Sequence, residues 1–105
     1  MTTARIVLTT AGSAQQAKQI ALALVEHRLA ACVNIVPKIE SVYRWQEKVE
    51  SAEEWLLVIK TRTDAFQRVQ DMIKKLHEYE VPECVMLEVA AGSQEYLDWI
   101  LNSTT

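Results

Sequence analysis

Glycine and proline are scarce in this chain of 105 residues, two of each, so it holds no glycine-rich phosphate loop, no Gly/Ser or Pro-rich linker and no low-complexity stretch. Cysteine is equally scarce. Cys32 and Cys84 are the only two and lie far apart, which excludes a disulfide framework and a Cys-x-x-Cys zinc knuckle and reads as a pair of reduced thiols. Long apolar runs are missing: nothing approaches the ~20 residues that span a bilayer. Met1 to Thr10 also lacks the basic start and continuous apolar segment of a secretory signal. No membrane partner is expected, and the expected address is the cytoplasm. Positive charge is in deficit, with 11 Lys and Arg against 14 Asp and Glu for a net charge of −3, and no basic run is longer than Lys74-Lys75. That leaves no electrostatic footprint for a phosphate backbone, so nucleic acid is not expected. A Gly-x-Ser-x-Gly elbow and a cysteine with an arguable histidine partner are absent too, and Ser13 and Ser93 stand where helix caps belong; no enzyme is expected.

What is present is ordinary globular material. Hydrophobic residues make up 50% and charged residues 24% of the chain, enough for a core without staples, and residues 1–105 are expected to form a single domain.

The order of apolar residues predicts the elements. Arg5 to Thr10 is a β-branched run ending in the turn residues Ala11-Gly12-Ser13. Ser13 with Gln16 three positions on matches a capping box, so a helix begins at Ala14, with Ala17, Ile20, Ala21, Leu24 and Arg28 on one stripe. Ala31 to Val36 is a second strand, and Pro37 must sit at a bend, bulge or edge because it lacks the ladder amide. Strand character resumes from Ile39 to Val49, with Ile39, Ser41, Tyr43 and Trp45 on one side of the pleat. Trp55 to Ile59, apolar on both faces, reads as a central strand. Thr63 or Asp64 caps a second helix with Phe66, Val69, Ile73 and Leu76 inward, ending near His77 or Glu78. Cys84 to Val89 is the fourth strand, and Gln94 to Leu101 a short last helix.

The halves echo each other: Leu8-Thr9-Thr10, a helix, then Cys32-Val33, against Ile59-Lys60-Thr61, a helix, then Cys84-Val85. The echo predicts an α+β fold, the split βαβ sandwich, with an antiparallel four-stranded sheet and both helices on one face; chance likeness between two βαβ units is the alternative. Its second and fourth strands lie at opposite edges, which disfavours a Cys32–Cys84 bridge. The other face of the sheet is left open, with Tyr43, Trp45 and Trp55 expected to form an apolar patch, and the strand from Lys38 to Val49 is too long for its neighbours. Both features predict symmetric self-association.

Candidate chemistry is diffuse. His77, Glu80 and Glu83 lie close in sequence beside Glu78 and Cys84, a cluster open to two readings, metal ligands or a solvated acidic helix end, since it lacks any established ligand spacing. Cys32 and Cys84 are soft donors that could hold copper or small hydrophobes in a core. Tyr43, Trp45, Trp55, Tyr96 and Trp99 could stack on a ligand or simply pack. Lys60 ends an apolar strand and needs an anionic partner if buried, with Glu83 the candidate.

Taken in order, Leu29-Ala30-Ala31-Cys32-Val33-Asn34-Ile35, Ser41-Val42-Tyr43-Arg44-Trp45, Lys48-Val49-Glu50, Ile59-Lys60-Thr61, His77-Glu78-Tyr79-Glu80-Val81-Pro82-Glu83 and Tyr96-Leu97-Asp98-Trp99 resemble the CutA divalent-cation-tolerance proteins almost end to end. The resemblance implies a ferredoxin-like fold in a tight homotrimer joined through its long second and third strands, and a role in tolerance to copper(II) and other divalent cations. It also implies a similarity in architecture to trimeric signalling proteins of the PII type, which bind small effectors between subunits, so an effector-sensing or protein-interaction scaffold is the alternative function. Carried onto this chain, the metal donors would be Cys32 and His77, and the intersubunit cleft would hold Tyr43, Trp45, Lys60, Glu83, Tyr96 and Trp99. The chain departs from the family pattern at Glu78, where proline is usual, at Cys84, where an aliphatic residue is usual, and at Thr9, where some relatives carry cysteine.

Overall fold

The computed structural model describes all of residues 1–105. Along the chain come β1 (Ala4–Ala11), α1 (Ala14–Glu26), β2 (Cys32–Trp45), β3 (Lys48–Arg62), α2 (Phe66–Leu76), β4 (Val85–Glu88) and α3 (Gln94–Asn102). The strands form one antiparallel sheet in the order β2-β3-β1-β4. This is the split βαβ topology expected from the echoing halves. Cys32 starts one edge strand and Cys84 precedes the other, and both thiols are free.

Alternation decides which side of each central strand is buried. Val7, Thr9 and Ala11 of β1 and Leu57, Ile59 and Thr61 of β3 are fully covered, packed beneath Ala17, Ile20 and Leu24 of α1 and Val69 and Ile73 of α2. Each of the large aliphatic side chains so buried stabilises the fold by about 1.5–3 kcal/mol. The alanines let α1 lie close to the sheet. Of the two buried threonines, Thr61 donates to the Leu29 carbonyl at 2.7 Å, whereas the Thr9 hydroxyl has no partner.

Helix ends depart from the sequence reading in informative ways. Ser13 Oγ accepts from the Gln16 amide at 3.1 Å, as a cap should. The return arm of the capping box is not made. Gln16 is buried, and its carboxamide reaches across to α2, donating to the Leu76 carbonyl at 3.2 Å and accepting from the Glu78 amide at 2.7 Å. A helix C-terminus leaves orphan carbonyls, and satisfying a buried one outweighs closing a local box. Arg28, expected on the helical stripe, lies beyond the end of α1 at φ 58°. There its amide bonds Val25 and the next amide, of Leu29, bonds Leu24, the Schellman pattern that usually takes glycine. Neither Thr63 nor Asp64 caps α2: they form a 3-10 turn (Thr63–Ala65), with Asp64 paired to Arg62 at 2.7 Å and the Thr63 hydroxyl donating to Thr3.

Pro37 sits at an edge-strand bulge. Val36 pairs with Leu56 and Ile39 with Glu54, so β2 carries one extra residue there, with Lys38 at φ 56°. The bulge switches the parity of β2: Cys32, Asn34 and Val36 before it share a face with Ile39, Ser41, Tyr43 and Trp45 after it. Beyond Ala11, whose partner is Trp55, β1 has ended, and Ile39–Trp45 and Lys48–Glu54 pair only with each other. They form an overhanging two-stranded ribbon, which stretches the molecule to 44 Å against 26 and 22 Å in the other directions.

Of the three aromatic residues expected on the face away from α1 and α2, Tyr43 and Trp45 share its register along the ribbon and Trp55 does not. Trp55 is on the helix side, packed against the main core. By register the open face carries Ile6, Leu8, Leu56, Val58, Val85 and Leu87, with Val36 alongside. Only its end is covered, where Ala4 packs with Leu97 and Ile100 of α3.

Candidate functional site

Where β1 stops, the ribbon and the chain leaving α2 enclose a groove of about 680 Å³. The segment from His77 to Glu83 forms one bank, held by hydrogen bonds that its sequence makes possible. His77 is buried, its Nε2–H donating to the Thr10 carbonyl at 2.6 Å and its Nδ1 accepting from the Tyr79 amide at 3.0 Å. Those partners fix a neutral imidazole of one tautomer. The ring lies 4.5 Å from that of Tyr79.

Tyr79 then reaches the ribbon. Its hydroxyl donates to Glu54 Oε2 at 2.7 Å. Burial, then that hydrogen bond and the Glu54 charge, push the phenol up to about 12. The hydroxyl passes close to Gly12, where a Cβ would lie 3.0 Å from the Tyr79 oxygen and the ring would have to give way slightly. Glu54 itself is only 8% exposed. Its Oε1 receives no hydrogen bond, and the one salt bridge of the molecule joins Arg62 and Asp64 elsewhere. That oxygen keeps contact with solvent, since Thr9 Oγ1 is the only buried side-chain polar atom without a partner.

Around Glu54 the groove is lined by Tyr43, Trp45 and Glu50 of the ribbon and by Tyr79, Glu80 and Glu83 of the opposite bank. Four residues singled out from the sequence, Tyr43, Trp45, Glu80 and Glu83, therefore meet there. Lys60, Tyr96 and Trp99 do not. Lys60 stands opposite Cys32 on the open face, and its ammonium donates to Asn34 Oδ1 rather than pairing with Glu83. Tyr96 and Trp99 lean on each other along α3, ring centres 5.5 Å apart at 32°. The expected metal donors are separated within one chain: Cys32 is opposite Lys60, His77 bonds Thr10, whose partner is Leu56, and those β3 positions are roughly 13 Å apart. No three His, Cys, Asp or Glu side chains are placed to share an ion. Burial, with the charge of Glu83, raises the Cys84 thiol, which disfavours the thiolate a metal would need.

The residues that sequence reasoning missed are Glu54 and Gly12. Glu54 stands in Glu53-Glu54-Trp55, where nothing local separates a solvated glutamate from a buried one.

Against known proteins, the model of the CutA1 divalent ion tolerance family matches residues 5–103. The divalent-cation tolerance protein CutA of Thermus thermophilus is 52% identical over 99 residues, which cover 94% of this chain and 96% of that protein. The chloroplastic protein CutA of Arabidopsis thaliana is 46% identical over 94% of this chain, but the match covers 54% of its own length, so the chain spans about half of that relative. The crystal structure of CutA1 from Oryza sativa superposes with a TM-score of 0.96 at 41% identity, over 99% of this chain and 95% of that one.

Proposed function

The chain belongs to the CutA1 divalent ion tolerance family, and from that membership we propose that it binds divalent metal ions, copper(II) foremost, in the response to metal excess, as a cytoplasmic homotrimer without catalytic activity. The observation that supports self-association is the open sheet face. Its aliphatic surface is contiguous across β2, β3, β1 and β4 and continues into the overhanging ribbon, and contiguous apolar faces and unpaired strand edges are where chains associate. No helix is long and apolar enough to cross a membrane.

Within one chain the donor set does not fit a metal centre. Both nitrogens of His77 are engaged, and Cys32 lies away from it. On this reading a copper site takes donors from more than one subunit. Calorimetric titration of copper(II) into the wild type and into His77→Ala and Cys32→Ser tests the donors. Weaker binding in either variant is expected; wild-type binding in both would remove these residues from the site. Sedimentation at low micromolar concentration should give about three times the 11.9 kDa chain mass.

A second reading, a cleft that senses a small effector, is supported by a different observation: the groove that gathers Tyr43, Trp45 and Glu83 around the buried Glu54.

A further inference from the structure

The last helix, α3, is held to the rest of the molecule unevenly. Of its nine residues only Leu97 and Ile100 are buried, packed with Ala4, while Tyr96 and Trp99 stand 44% and 45% exposed. Before it, Ala90, Ala91 and Gly92 are exposed and make no hydrogen bond, and Ser93 bonds only within the helix that it caps. A helix of this length does not stand alone in water, and two buried side chains hold it weakly.

The rest of the hold lies at its far end, from Leu101 to Thr105. Arg62, which ends β3, donates to the carbonyls of Leu101 at 3.2 Å and Thr104 at 3.5 Å. Arg28, just past α1, donates to the Asn102 carbonyl at 3.1 Å, and its own carbonyl accepts from the Thr105 amide at 3.1 Å. Arg68 of α2 donates to the Thr105 carbonyl at 2.6 Å. No other hydrogen bond joins residues 90–105 to the rest of the chain. The Leu101 and Asn102 carbonyls are among those that a helix end leaves without intrahelical partners, and three guanidinium groups there meet the negative end of the helix dipole.

We propose that α3 is a lid on the open sheet face, hinged at Ala90–Gly92 and latched at its far end by Arg28, Arg62 and Arg68, and that it opens as one unit while the sheet and the helical layer stay folded. Opening lifts Leu97 and Ile100 off Ala4 and extends the apolar face to Ala4, Ala31 and Val89. It also carries Tyr96 and Trp99 away with the helix. The latch sets how much of that face is bare, and it depends on neither the copper nor the effector reading.

The test is hydrogen–deuterium exchange of the intact protein, read by mass spectrometry on the wild type and on Arg62→Ala, Arg68→Ala and Arg28→Gly. In the wild type the amides of α3 should exchange faster than those of β1 and β3. Each substitution should speed exchange in α3 about tenfold or more and leave β1 and β3 unchanged. Arg62→Ala also loses the pair with Asp64. The other two variants keep the test valid if it folds poorly, since Arg68 is exposed on α2 and glycine suits the φ of 58° at position 28. Exchange of α3 only together with β1 and β3 in the wild type would overturn the proposal. So would variants that speed the whole chain by one factor, or that leave α3 as it was.

Discussion

At the scale of single residues, polar groups in unusual surroundings carry most of the information. The Thr9 hydroxyl is buried between sheet and helices with no hydrogen-bond partner, a state that costs about 1–3 kcal/mol. Thr9→Val keeps the shape and removes the hydroxyl, so denaturant unfolding should show a gain of about 1–2 kcal/mol; a loss would mean that the hydroxyl has a partner in solution, such as a buried water. Tyr79 gives a pH prediction. Its phenol is raised from 10.0 to about 12, so the folded state favours the protonated form. Its contribution to stability is therefore complete below pH 10 and is lost as pH rises through about 12. An ultraviolet titration should show a phenolate step near 12 that Tyr79→Phe removes. Of this network the sequence revealed His77, Tyr79 and Glu83 as parts of a motif. It could not reveal Glu54, because the burial of that carboxylate follows from where β1 ends and which loop folds over it, a tertiary fact with no local signal.

Elements were more legible than sites, because periodicity is a local property and caps are short. The stripe of Ala17, Ile20, Ala21 and Leu24 and the bulge at Pro37 follow from helical spacing and from a missing amide. The position of Trp55 was not legible. Apolar residues on both faces of a central strand do not say which face the helices cover, and the switch of parity at the bulge separates Trp55 from Tyr43 and Trp45. One element is also under local strain. The turn of the ribbon joins Trp45 to Lys48 through Gln46 at φ 49° and Glu47 at φ 69°, the two-residue turn that Asn-Gly fits best. A left-handed conformation costs an ordinary residue roughly 1–2 kcal/mol. Replacing the pair by Asn-Gly should therefore stabilise the chain by about 1–2 kcal/mol in chemical denaturation. An unchanged or lower stability would show that the Gln46 and Glu47 side chains make contacts in the assembly that repay the strain.

At the scale of the whole molecule, one layer of helices on a four-stranded sheet leaves a problem that the chain cannot solve alone. α1 and α2 cover one face, α3 covers only the end of the other, and Ile6, Leu8, Leu56 and Val58 of the two central strands remain. If copies of the chain close over that face, a charge placed at its centre is buried without a partner, which costs far more than the same charge at the surface. Val58→Glu should therefore convert the assembly to a species near 11.9 kDa in sedimentation while preserving the circular dichroism of the fold, since Val58 points away from the core that Leu57 and Ile59 build. Val25→Glu supplies the contrast. Val25 is 41% exposed on α1, on the helical layer, where a new charge stays hydrated and the assembly should be unaffected. Dissociation by Val25→Glu and not by Val58→Glu would place the contact on the helices and leave the open sheet face without an explanation.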